Sequence, residues 1–294
     1  MIKLPMKQTR RHFVIRLSFA LAILLAANAN GQNNEGQNAN GQTSPRTLNS
    51  GSRERTYNVY VPATLDRDKP VPLLLCFHGA GGNGIAAMKS FRRLADQHGF
   101  VLVGPDGING RWNAGCDDEI KATDGADDVG FVRDLVKAIQ KDFKVESRRI
   151  YAYGFSNGAA IGHRLATELP ETFAAVAAVG GTLARHSADV VAPESAVSML
   201  IIVGSEDAMF GTNGNLRGGT FFTASETANI WSERNKCGTS VEIETPVPFT
   251  RWKNPAGDAE VELWIVQGAG HTPNMSKAFD TPQQSWNFLS RHKR

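Results

Sequence analysis

Six short runs of almost unbroken apolar residues, at 72–77, 100–103, 149–153, 173–179, 199–203 and 261–266, recur along the chain. A strand with one wet face alternates polar and apolar residues, whereas a run without alternation is covered on both faces, as parallel strands are. Helix-like stretches fall between most of these runs, at 85–98, 128–143, 157–169, 224–235 and about 282–291. Asp127-Asp128 and Ala224-Ser225-Glu226 offer N-cap chemistry, and Gly99 can end the first stretch in the left-handed conformation that glycine takes without strain. Residues 57–61 alternate as a half-exposed strand does. The alternation of β and α predicts an α/β fold: one domain over 53–294 with a doubly wound, mostly parallel sheet flanked by helices.

Such sheets bind ligands at the carboxyl ends of their strands, which makes the residues after each run informative. Gly154-Phe155-Ser156-Asn157-Gly158 follows one run and opens a helix-like stretch. G-x-S-x-G is a short pattern in a chain with 29 glycines. Its position between strand and helix is what marks Ser156 as a nucleophile on a strained turn. A serine hydroxyl needs a base, and the base needs an acid to hold its tautomer, in the chain order serine, acid, histidine. Asp207 and Glu206 end the run at 199–203, and His271 follows the last run through Gly268-Ala269-Gly270. Asp207 is preferred over Glu206 as the acid.

His78-Gly79-Ala80-Gly81-Gly82 follows the run at 72–77 and suits an oxyanion hole, with the backbone N–H groups of Ala80 (or Gly79) and Asn157 as donors. This glycine cluster matches neither G-x-G-x-x-G nor the Walker lysine pattern, so no nucleotide cofactor is expected. The acid-rich stretch 117–128 lacks calcium-loop spacing and reads as a solvated loop ending in a helix cap; no metal is expected. Two long insertions, 107–126 and 208–223, offer Trp112, Met209, Phe210, Phe221 and Phe222 as apolar groups for a substrate pocket, with Trp112 and Phe210 as the candidate contacts.

Lys3, Lys7, Arg10, Arg11 and Arg16, without any acid, precede or enter the apolar run 17–27, and Ala27-Asn28-Ala29 supplies a small-x-small site. The pattern over 1–29 is that of a cleavable export signal, and the run is shorter than the ~20 residues that cross a bilayer. Thr9-Arg10-Arg11-His12-Phe13-Val14 resembles the twin-arginine motif. A secreted or periplasmic protein without stable membrane association is expected. Residues 30–52, rich in Gly, Asn and Gln, read as a disordered polar leader. The formal charge of +3 comes from the signal, since 32 bases less those five leave 27 against 29 acids. Without a basic surplus, nucleic acid is excluded as a partner. A monomer acting on a small ester, or on an ester linked to an oligomer or polysaccharide, is expected. Of three cysteines, Cys76 lies in an apolar run, while Cys116 and Cys237 sit in polar contexts where a bridge would add about 4–5 kcal/mol.

Leu75-Cys76-Phe77-His78-Gly79-Ala80-Gly81-Gly82, Arg111-Trp112-Asn113-Ala114-Gly115-Cys116, Ala126-Asp127-Asp128-Val129-Gly130-Phe131, Gly154-Phe155-Ser156-Asn157-Gly158 and Gly270-His271 together resemble the polyhydroxybutyrate depolymerase and feruloyl esterase family of secreted α/β-hydrolases. The resemblance runs from about residue 53 to 289 and implies Ser156, Asp207 and His271 as a triad hydrolysing carboxylic esters through an acyl-enzyme. It departs at the cysteines, where family members often carry Cys-Cys after W-N-A-G and a partner after N-x-C. Aromatic or short acyl groups on carbohydrate and hydroxyalkanoate oligomers both remain as substrates. An acyltransferase with the same triad, and a non-catalytic binding protein on a hydrolase scaffold, are the alternatives.

Overall fold

The apolar runs become the centre of one sheet. The computed structural model describes residues 41–188, 195–210, 220–273 and 279–294; the export signal and the start of the leader lie outside the described residues. The strands are β1 (Gln42–Ser50), β2 (Arg53–Val61), β3 (Val71–Phe77), β4 (Val101–Pro105), β5 (Val145–Phe155), β6 (Ala175–Val179), β7 (Ser198–Gly204), β8 (Val241–Ile243), β9 (Phe249–Lys253) and β10 (Glu260–Val266). Their spatial order is β1-β2-β4-β3-β5-β6-β7-β10-β9-β8. From β4 to β10 the neighbours are parallel. The outer pairs on both sides are antiparallel.

The helices are α1 (Gly84–Met88), α2 (Arg92–His98), α3 (Asp117–Ala122), α4 (Asp128–Asp142), α5 (Asn157–Glu168), α6 (Arg185–Ala188), α7 (Ala224–Arg234) and α8 (Thr281–Leu289). Alternate residues of the central strands serve opposite layers. Leu73, Leu75, Val101, Val103, Ile201 and Val203 pack with α4, α5 and α7. Leu74, Cys76, Leu102, Leu200 and Ile202 pack with α1, α2 and α8. β3, β4, β6 and β7 are buried throughout, which is why their sequences lack alternation.

Local chemistry shifts several expected boundaries. The stretch 85–98 is broken by a 3₁₀ turn at Lys89–Phe91, and Gly99 ends α2 at φ 66°. Thr223, one residue before the expected cap, forms a capping box with Glu226, while Asp127 caps α4 by accepting the Gly130 N–H at 2.8 Å. The leader is corrected over its second half: residues 42–50 form β1, an edge strand hairpinned to β2 through Gly51 at φ 58°. Its side chains are mostly polar, and alternate ones are half-buried, with Leu48 alone packing against the core, so the sequence carries little sign of it. No disulfide joins Cys76, Cys116 or Cys237, which removes the bridge considered between the last two.

Where β10 meets the C-terminal residues, two carboxylates are buried, Glu260 at 3% and Glu262 at 2% exposure. Arg251 and Arg291 hold Glu262 at 2.5 and 2.6 Å, and Arg291 and His292 hold Glu260. Burial pushes the Glu260 carboxyl up, but His292, with Nε2 3.2 Å from it, and the Arg291 charge outweigh this and set the pKa at about 2. A carboxyl depressed on folding stabilises above its unfolded pKa and loses that contribution as pH falls towards the folded value. Between pH 5 and pH 2.5 the wild type should therefore lose more unfolding free energy than Glu260→Gln, by an amount on the order of 2 kcal/mol. Urea midpoints at the two pH values check this; parallel losses in both proteins would refute it.

Candidate active site

Strand β5 ends at Phe155 and α5 begins at Asn157, leaving Ser156 at φ 56° and ψ −119°. A non-glycine residue held there stores about 1–3 kcal/mol of strain. The turn is this tight because its neighbours carry no side chain: a Cβ on Gly154 would lie 2.0 Å from the Gly158 carbonyl oxygen, and one on Gly158 2.2 Å from that of Phe77. The Ser156 N–H donates to the Val179 carbonyl at 2.8 Å, tying the turn to β6.

The loops after β7 and β10 bring an acid and a base to this serine. Ser156 Oγ lies 2.9 Å from His271 Nε2, and His271 Nδ1 lies 2.9 Å from Asp207 Oδ2. Nδ1–H donating to the carboxylate leaves Nε2 free to accept the hydroxyl proton. Asp207 Oδ1 accepts the N–H groups of Met209 at 2.8 Å and Phe210 at 3.1 Å. Burial pushes the Asp207 carboxyl up, but hydrogen bonds from His271, Met209 and Phe210 outweigh it and hold it below the usual carboxylate range. Glu206 is exposed. The two loops are also joined to each other: Ser205 N–H donates to Val266 O at 3.0 Å, Glu206 N–H to Ala269 O at 2.9 Å, and Gly268 N–H to Ser205 Oγ at 2.9 Å.

The glycine-rich loop after β3 lies against the serine, since a Cβ on Gly79 would sit 3.3 Å from Ser156 Cβ. Gly82 N–H closes onto Gly79 O at 3.0 Å, and Gly81 N–H reaches Gly110 O at 2.8 Å. His78 donates from Nδ1 to Gly79 O at 2.8 Å and accepts the Gly107 N–H on Nε2 at 3.0 Å. Burial lowers its pKa and keeps the ring neutral, as this pattern requires. Among the described residues, neither Ala80 N–H nor Asn157 N–H is taken by a backbone carbonyl. Asn157 opens a helix, where the first N–H groups have no intrahelical acceptor.

Beneath this loop lies a buried polar network that the sequence reading did not anticipate. Asn157 Oδ1 accepts the Trp112 N–H at 2.7 Å, and its Nδ2 donates to Trp112 O at 3.0 Å and to Glu119 Oε1 at 2.8 Å. Glu119 Oε2 accepts the Ala114 N–H at 3.0 Å. Asp128 accepts the Asn113 N–H at 2.7 Å and pairs with Arg55 at 2.7 Å. The stretch 117–128 is thus corrected from a solvated loop to α3 and the start of α4, with Glu119 and Asp128 buried. Trp112 is corrected too. It is fully buried, its Nε1–H donating to His78 O at 3.0 Å and its ring packed edge-on against Phe77, so it braces the loop from behind. Phe210 is 3% exposed and stacks on His271 with centroids 5.9 Å apart, and Phe221 meets it edge-on. It packs the imidazole instead of lining an open pocket. Residues 211–219 of that insertion lie outside the described residues.

Residues 55–204 match the family described as esterase PHB depolymerase. Feruloyl esterase B of Piromyces equi is 27% identical over 248 residues, 79% of this chain and 44% of that protein. A putative esterase, NocK, of Nocardia uniformis subsp. tsuyamanensis is 30% identical over 174 residues, 58% of this chain and 50% of that protein. The chain thus spans about half the length of these relatives. An acetyl xylan esterase from Aspergillus awamori shares the fold at TM-score 0.61 and 16% identity, over 84% of this chain and 99% of that one. A ferulic acid esterase from Anaeromyces mucronatus, solved with ferulic acid, superposes at TM-score 0.57 and 16% identity, over 89% and 93%.

Proposed function

The chain belongs to the esterase PHB depolymerase family, and from that premise we propose that it is an exported serine esterase hydrolysing carboxylic esters through an acyl-enzyme. The observation that carries this reading is the relay from Ser156 Oγ through His271 to Asp207, at 2.9 Å on each side of the imidazole. His271 Nε2 takes the hydroxyl proton as Oγ attacks the ester carbonyl carbon, and the ionised Asp207 stabilises the imidazolium that forms. The developing oxyanion is held by the N–H groups of Ala80 and Asn157. As the intermediate collapses, Nε2 returns the proton to the departing alcohol, and a water repeats the sequence on the acyl-serine. Export is supported by the signal pattern over 1–29. Among the described residues no helix is long and apolar enough to cross a membrane. The substrates proposed are aromatic or short acyl esters on carbohydrate.

A fluorophosphonate probe should label the intact protein, with labelling lost in Ser156→Ala; labelling that persists in the variant refutes the assignment. With methyl ferulate, p-nitrophenyl acetate and a 3-hydroxybutyrate trimer, one of the first two should give the highest kcat/KM. A trimer preferred over both by more than tenfold would overturn the carbohydrate-ester reading while leaving the triad intact.

A further inference from the structure

Asn157 is the first residue of α5, and its backbone N–H is one of the two donors given to the oxyanion. Its side chain is 5% exposed and does a different job. Oδ1 accepts the Trp112 N–H at 2.7 Å while Nδ2 donates to Trp112 O at 3.0 Å, so the amide grips residue 112 as a neighbouring strand would. The remaining N–H of Nδ2 goes to Glu119 Oε1 at 2.8 Å.

The other donor hangs on the same loop. Trp112 Nε1–H donates to His78 O at 3.0 Å, and Gly110 O accepts the Gly81 N–H at 2.8 Å, so the segment that Asn157 grips also carries the glycine-rich loop with Ala80. Glu119, on α3 and 2% exposed, closes the frame. One of its oxygens takes the Asn157 amide and the other takes the Ala114 N–H at 3.0 Å.

We propose that Glu119 is a positioning residue for the oxyanion hole: by joining Asn157 to the segment 110–114 it sets the gap between the two N–H donors. The proposal rests on the serine-esterase reading, with Ala80 and Asn157 as its donors. The role demands an acceptor at both ends of one side chain. A carboxylate accepts at each oxygen, whereas a glutamine amide accepts at one end and donates at the other. Glu119→Gln must therefore turn its NH2 towards either the Asn157 amide or the Ala114 N–H and lose that bond. The segment itself stays docked, because Arg164 donates to Asn113 O at 2.8 Å and Asp128 accepts the Asn113 N–H at 2.7 Å.

An oxyanion forms only as the ester is attacked, so displaced donors cost kcat and leave ground-state binding alone. Glu119→Gln should lower kcat for p-nitrophenyl acetate by about ten- to hundredfold per titrated active site, with KM within about twofold of wild type. The ascending limb of the pH–rate profile should not move, since His271 and Asp207 are untouched. A trifluoromethyl ketone, whose adduct with Ser156 puts an oxyanion between the donors, should lose affinity by the same factor as kcat. A smaller folded fraction changes none of these per-site values.

Asn157→Asp sets two carboxylates face to face and should cost more than Glu119→Gln. Combining the two gives the new carboxylate a donor and should recover kcat about tenfold over Asn157→Asp, which decides the matter if Glu119→Gln does not fold alone. Three results overturn the positioning role alone: kcat and ketone affinity within twofold of wild type in Glu119→Gln, a loss confined to KM, or a double variant no faster than Asn157→Asp. A wild type that neither takes the fluorophosphonate nor turns over any of the three esters overturns the serine-esterase reading beneath it.

Discussion

Ser156→Ala should lower kcat towards a soluble ester by about 10³-fold or more, with far-UV circular dichroism unchanged. The size of the loss follows from the roles at the site. Without Oγ there is no atom to carry the acyl group, and His271 and Asp207 have no proton relay to complete. Only the oxyanion donors and substrate binding remain, and those give a residual rate over water. Asp207→Asn should come close to the same loss, because an amide facing Nδ1 no longer selects the tautomer that leaves Nε2 free to accept. Glu206→Gln should stay near wild type, its side chain being exposed. Initial rates with p-nitrophenyl acetate check all three variants. Ser156→Ala retaining a tenth of the activity, or Glu206→Gln losing more than Asp207→Asn, would overturn the assignment.

The second large effect is on stability and lies away from the chemistry. Arg55 and Asp128 form an ion pair whose side chains are 2% and 0% exposed. The Arg55 guanidinium also covers the Phe131 ring at 4.0 Å from its centroid. Burial raises the Asp128 carboxyl above its ordinary range, against the opposing pull of Arg55. Arg55→Met removes the cationic partner of that pair while keeping most of the side-chain volume. Breaking a buried pair by deleting one member costs about 3–5 kcal/mol. For a domain of this size that is a fall in Tm of roughly 10 °C. Asp128 also accepts the Asn113 N–H, so the loop beneath the oxyanion donors should loosen, and kcat at 25 °C should fall with it. Differential scanning calorimetry tests the first part, and a Tm within a degree of wild type would refute it.

How much of this could be read from residues alone depends on whether a contact leaves a local pattern. The strands from β3 to β10 in the parallel part of the sheet were legible because a doubly covered strand must be apolar throughout, as 199–203 is. Ser156 and His271 were legible because a glycine-bounded turn after a strand marks each of them. β1 was not, since its side chains are mostly polar and only half-buried on the inner face, where Leu48 is its one apolar contact with the core. Arg55, Glu119 and Asp128 were not recognised as a network because charged residues in sequence look alike whether solvated or buried. The Asp127-Asp128 step carried a hint, as a cap needs only one of the two. Trp112 was misjudged for the converse reason. An aromatic in a long loop near a site can face the ligand or support the loop, and only the Nε1–H bond to His78 O distinguishes them.

The stitching between the loops after β7 and β10 has a mechanical consequence. A Cβ on Gly204 would lie 2.1 Å from Ala269 O, so the two backbones touch there, and three hydrogen bonds cross between them. Asp207 and His271 therefore ride on a single jaw, while Ser156 sits on a separate anvil at the end of β5. A substitution that displaces either loop should therefore shift acid and base together, so that its effect falls on the distance from His271 Nε2 to Ser156 Oγ.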